Sequence, residues 1–158
     1  MCPHPFDPNC EEFSEARPII VLKDKRGKSE YRGNNPKREK ITCIRIDGCG
    51  IDDLSIKKCD YLLLRFMPHD DKKLIINEAH YIELKGTDVK QGIEQLISTV
   101  EITIDALIEK GLKRAYAKLV LRSTPKILPL KAWTNLRLLM KQYQGDAMRQ
   151  NTPFEDTF

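Results

Sequence analysis

Between Ala79 and Leu121 the hydrophobic period changes twice, and that order of elements limits the fold more than any other stretch. Ala79-His80-Tyr81-Ile82-Glu83-Leu84-Lys85-Gly86 reads as a strand closed by glycine. Asp88 then offers a helix N-cap with Gln91 three residues on, in the manner of a capping box. Val89, Ile93, Leu96, Ile97, Val100, Ile104, Leu107 and Ile108 step by three and four, which predicts a long amphipathic helix ended by Gly111. Ala115 to Leu121 is apolar again and reads as a buried strand. Strand, helix, strand predicts a right-handed parallel crossover, and with it a mixed sheet.

Upstream, Ile41 to Asp47 is β-branched and broken by Gly48 and Gly50. Cys59 to Phe66 is almost continuously apolar, as expected of a strand covered on both faces. The polar stretch from Pro68 to Lys73 turns the chain, so the strand at 79–85 should return antiparallel to 59–66; Leu74-Ile75-Ile76 leaves its start open. Pro18 to Leu22 suits an edge strand, and a last helix over about 130–144 puts Trp133, Leu136, Leu139, Met140 and Tyr143 on one side. Residues 1–17 read as an irregular leader, 23–40 as a loop, and 146–158 as an acidic tail. The expected class is α/β, a small mixed β-sheet flanked by α-helices over residues 41–145.

At 158 residues, 41% hydrophobic and 32% charged, the chain fits one soluble domain. No run of some 18 apolar residues suggests a membrane span, and the first residues lack a secretory pattern, so a cytoplasmic location is expected. Five cysteines at uneven spacing then imply reduced thiols. Cys2, His4 and Cys10 match no common zinc spacing.

The net charge of +4 is unevenly spread: residues 23–40 hold eight basic side chains against three acids, between acidic ends. Lys23, Lys25, Arg26, Lys28, Arg32, Lys37 and Arg38 in this segment, with Lys126 before the last helix, are candidates for contacts to a nucleic-acid backbone. A solvated charged loop is the alternative for the segment, as a solvated helix face is for the basic side of the last helix.

Side chains two apart on a strand share a face, so Glu83 and Lys85 are aimed at one spot. The same acid-any-lysine spacing occurs at Asp70/Lys72, Asp71/Lys73 and Asp88/Lys90, but only Glu83/Lys85 ends an apolar β-run before a helix. An ordinary cross-strand ion pair is the competing reading. The antiparallel pairing brings Asp60 close to Glu83, and two converging carboxylates suit a hard cation such as Mg²⁺ or Mn²⁺. Asp47 is a further carboxylate at a strand end, equally suited to forming the turn before Gly48.

Asp60, 22 intervening residues, Glu83-Leu84-Lys85, and a following helix with Gln95 together resemble the PD-(D/E)XK, or restriction-endonuclease-like, superfamily of nucleases, above all its small stand-alone members. The resemblance spans roughly residues 41–123. It implies that Asp60 and Glu83 ligate Mg²⁺ with the carbonyl of Leu84, and that Lys85 serves the attacking water. Gln95, or Gln91 one turn earlier, would sit beside the site. It further implies in-line phosphodiester hydrolysis leaving a 5′-phosphate, DNA as substrate, endonuclease action and a homodimer. Cys59 stands where the motif has proline, and Thr99 where one branch has an aromatic residue. The alternative is a catalytically inactive nucleic-acid- or protein-binding module on the same fold.

Overall fold

The computed structural model describes residues 3–26, 28–84 and 87–158. Nine strands and two α-helices follow the order β1 (Glu11–Glu15), β2 (Ile19–Lys23), β3 (Glu30–Asn34), β4 (Ile41–Arg45), β5 (Tyr61–Pro68), β6 (Leu74–Leu84), α1 (Val89–Glu109), β7 (Arg114–Leu121), α2 (Leu130–Lys141), β8 (Ala147–Asn151) and β9 (Phe154–Thr157). Six strands form one sheet in the order β1-β4-β5-β6-β7-β8, and three form a second, β2-β3-β9.

Alternation along the central strands explains why two layers cover the large sheet. Leu62, Leu64, Tyr81, Ala117 and Leu119 pack with Leu96, Val100 and Leu107 of α1 and with Trp133, Leu136 and Met140 of α2. Cys43, Leu63, Ile82, Leu84 and Val120 face the other way, onto Ile20, Leu22, Tyr31 and Phe154 of the small sheet. Strands buried on both faces are expected to be largely apolar, as β5 is, whereas β6 also buries Glu78, His80 and Glu83. Both helices therefore lie on one face with a second sheet on the other, which corrects the expectation of a sheet flanked by helices.

The predicted crossover is present: β5 and β6 are antiparallel, and β6 runs parallel to β7 through α1. Asp88 caps α1 by accepting from the Gln91 backbone N–H at 3.0 Å. At the far end Gly111 adopts φ +99°, and the Leu112 N–H reaches back to the Leu107 carbonyl at 3.1 Å. A register shift in the β5–β6 ladder after Arg65 lets Ile76 join Tyr81 on the helix face.

Among the described residues, strands occupy much of the segments expected from sequence to be a leader, a loop and a tail. β1 is a polar edge strand on β4, tied by the Ser14 and Thr42 hydroxyls at 2.7 Å. β3, inside the basic stretch, buries Tyr31 and Gly33, and the Phe158 ring occupies the space a Cβ at position 33 would need. β8 pairs with β7 and β9 with β3, both in parallel. Cys10 and Cys49 form a disulfide across a separation of 39 residues, contrary to the expectation of free thiols. It also removes Cys10 from the Cys2/His4/Cys10 zinc candidate, of which Cys2 lies outside the described residues. Cys43 and Cys59 are free and buried. Reduction of the bridge, or Cys49→Ser, is expected to cost about 2–4 kcal/mol, read as a lower urea midpoint with a somewhat steeper slope, because the unfolded chain without its cross-link exposes more surface.

Between the two sheets lies a buried polar chain. The Lys118 ammonium donates to His80 Nδ1 at 2.8 Å and pairs with Asp156, which also accepts from the Tyr31 hydroxyl at 2.7 Å. With Nδ1 accepting, His80 carries its proton on Nε2 and donates to Glu78 at 3.1 Å, and Glu78 in turn pairs with Arg65 at 2.9 Å. The His80 ring stacks on Tyr116 and meets the edge of Phe158. Burial and then the Lys118 charge push His80 down to about 4, outweighing the attraction of Glu78 and Asp156. An unfolded chain therefore binds a proton below its ordinary value of 6.5 that the native protein refuses until near pH 4. Stability is expected to fall by on the order of 3 kcal/mol as pH drops across that window. His80→Gln, which can keep both hydrogen bonds, should flatten this part of the pH–stability curve in urea melts.

Among the described residues no helix is long and apolar enough to cross a membrane.

Candidate active site

The register of β5 and β6 builds the site. Tyr61 pairs with Ile82, so Asp60, one residue before β5, stands across from Glu83. Each carboxylate holds the other strand's backbone: Leu84 N–H donates to Asp60 Oδ2 at 2.8 Å, and Asp60 N–H donates to Glu83 Oε2 at 3.2 Å. Glu83 is only 2% exposed and Asp60 is half-buried. Glu83 is thus a buried carboxylate that accepts from the backbone of the neighbouring strand.

Helix α1 fixes the segment before Asp60. The Thr99 hydroxyl accepts from Cys59 N–H and donates to the Gln95 carbonyl, each at 2.8 Å. Gln95 Nε2 donates to the Lys58 carbonyl at 3.1 Å. That bond fixes the amide orientation, and Gln95 Oε1 is buried with no hydrogen-bond partner among the described residues. An orphaned buried acceptor costs about 1–3 kcal/mol, and this one belongs to a residue lining the same cleft as Asp60 and Glu83. Thr99, unremarkable in sequence except as a departure from a family pattern, turns out to be the residue that ties Cys59, and so Asp60, to the helix.

Asp60, Glu83, Leu84, Gln91 and Gln95 line one cleft of about 690 Å³. Asp47 lies on its wall, half-exposed, with Lys58 Nζ 4.0 Å away. Lys23, Lys25 and Arg26, from the end of β2 and the turn that follows, line the same cleft, joined by Arg45 at the end of β4 and Arg122 after β7. All five basic residues are exposed, so acids sit at the floor and bases at the rim. Lys25, Arg26 and Arg122 have no ion-pair partner among the described residues, while Lys23 stands 3.9 Å from Glu30 and Arg45 3.5 Å from Glu12.

The remaining sequence candidates divide. Lys28, Arg32, Lys37 and Arg38 do not line the cleft, and Arg32 is held by Glu30 at 2.6 Å. Lys126 lines a second, adjoining bowl. Lys85 lies outside the described residues. Arg45 and Arg122 were not singled out in sequence: each is a lone basic residue at a strand end, and only the placing of β4 and β7 in one sheet, with β5 and β6 between them, brings both to one cleft. Among the described residues no group of three His, Cys, Asp or Glu side chains is clustered for a metal; the oxygen donors grouped here are two carboxylates with an amide and backbone carbonyls.

Comparison with protein-family models, with curated proteins and with solved structures finds no match to this chain.

Proposed function

We propose that the protein is a metal-dependent nuclease of the PD-(D/E)XK kind, hydrolysing phosphodiester bonds in DNA as an endonuclease. The observation that carries this reading is the juxtaposition of Asp60 and Glu83 at the floor of a cleft whose rim is formed by Lys23, Lys25, Arg26, Arg45 and Arg122. Neighbouring carboxylates oppose the approach of an anionic backbone unless a cation lies between them, whereas a basic rim favours it.

The donor set fits a hard cation. Asp60, Glu83 and the Leu84 carbonyl are all oxygen ligands of the sort Mg²⁺ or Mn²⁺ takes, and the orphaned Gln95 Oε1 is an acceptor for a metal-bound water. Such an ion, when bound, polarises a phosphoryl oxygen and lowers the pKa of its water. The chain's own part is to position and neutralise. Asp60 and Glu83 would hold the cation, Lys85 would orient the attacking water, and the rim bases would fix the flanking phosphates for an in-line attack that leaves a 5′-phosphate. Two such sites in a homodimer would cut two strands, and a cytoplasmic enzyme remains the expectation.

The test is calorimetric titration of the protein with Mn²⁺ and Mg²⁺. Asp60→Ala and Glu83→Ala are expected to weaken binding by at least about tenfold, as loss of metal-site carboxylates does. DNA binding that needs no metal and survives both substitutions would instead favour a binding module.

A further inference from the structure

Resting on the nuclease reading, we propose that the bowl beside the carboxylate cleft is a nucleotide subsite, taking the DNA base next to the cut phosphate after it leaves the stack. The bowl has a volume of about 770 Å³, within the ~300–1,000 Å³ range of small-ligand sites. It shares the wall formed by Thr87 and Asp88 with the carboxylate cleft. A strand whose phosphate lies over Asp60 and Glu83 therefore continues directly into it.

The lining has two chemistries, matching the two parts of a nucleotide. Pro125, Ile127 and Pro129, on the loop between β7 and α2, give an apolar surface for the face of a base. Ile127 is 85% exposed, an apolar side chain presented to water in the lining of this bowl. Lys90, on α1, and Lys126, on the loop, supply charge for the phosphate. Asp88, the acid in the shared wall, directs its carboxylate to the Gln91 N–H as the cap of α1. Asn151 Nδ2 donates to Thr124 Oγ1 at 3.0 Å, tying the start of the loop to β8. Arg122, at the root of the same loop, lines the carboxylate cleft, so one loop spans both chambers.

Apolar side chains wedged between base steps and pockets for extruded bases are established ways for proteins to open a duplex. Extrusion costs a few kcal/mol, least where the base is mismatched or already unpaired. The subsite therefore selects DNA with an unpaired or mismatched nucleotide beside the cut.

The experiment places 2-aminopurine, which brightens on unstacking, at successive positions of a dye-labelled duplex. The duplex is bound to the Glu83→Gln protein, with binding followed independently by polarisation. One position adjacent to the cut made by the native enzyme is expected to brighten several-fold. Adding Ile127→Ala should abolish that signal and weaken binding by about tenfold, the scale of one lost base contact. Tight binding with no bright position, or a bright position indifferent to Ile127→Ala, would overturn the subsite and leave the nuclease reading standing. Absence of both binding and cutting by the native protein would overturn the nuclease reading and the subsite with it.

Discussion

Lys118→Met is expected to lower the unfolding free energy by about 3–5 kcal/mol, among the largest effects of any substitution outside the apolar core. Lys118 is 1% exposed, and its ammonium is the link between His80 on β6 and Asp156 on β9. Burial pulls Asp156 upward, but the Lys118 charge and the hydrogen bonds from Lys118 and Tyr31 more than offset it, so its carboxyl is held below the usual range. Methionine fills the volume and leaves that half-buried carboxylate without its counter-ion. The double variant Lys118→Met/Asp156→Ala should recover part of the loss, because removing both charges removes the uncompensated one. Urea melts of the native protein, Lys118→Met, Asp156→Ala and the double variant check this. A Lys118→Met loss below about 1 kcal/mol would mean that the pair is as weak as an exposed one.

Glu83→Gln is expected to reduce metal-dependent DNA cutting by about a thousandfold, corresponding to several kcal/mol of transition-state stabilisation. The substitution is chosen because the structure allows it. Glu83 uses an oxygen to accept from Asp60 N–H, and a glutamine oxygen can keep that bond while losing the charge. Asp60→Asn follows the same logic, since an amide oxygen can still accept from Leu84 N–H. Both variants should melt within about 1 kcal/mol of the native protein, the scale of one ordinary hydrogen bond. An unfolded variant would instead show that the carboxylates serve the fold.

What the sequence disclosed follows how local its signals are. The N-cap at Asp88, the glycine stop at Gly111 and the apolar stripe of α1 are written in neighbouring residues, and each is where the pattern puts it. The meeting of Asp60 with Glu83 was legible because one polar turn between two apolar runs dictates antiparallel pairing. The small sheet was not. Its β3–β9 pairing joins residues more than a hundred positions apart, and its strands carry a glycine, an arginine and acids that resemble a loop in sequence. Asp156 looked like part of an acidic tail because its partner Lys118 is far away in sequence. Uneven cysteine spacing likewise hid the bridge from Cys10 to Cys49, which depends on β1 lying beside β4. At the cleft itself, three of the seven basic candidates of the 23–40 stretch, Lys23, Lys25 and Arg26, are among the lining residues, because they follow the end of β2.

The most direct test of the account is cleavage. Purified native protein and the Glu83→Gln and Lys85→Ala variants are incubated side by side with linear, supercoiled and branched DNA and with single-stranded RNA, in Mg²⁺, in Mn²⁺ and in chelator. The expected result is metal-dependent cutting of DNA by the native protein, products with 5′-phosphates, and loss of cutting in both variants. No cutting of any substrate by a folded native protein in either metal, or cutting that persists undiminished in Glu83→Gln, would contradict the assignment of the Asp60/Glu83 cleft as a nuclease site.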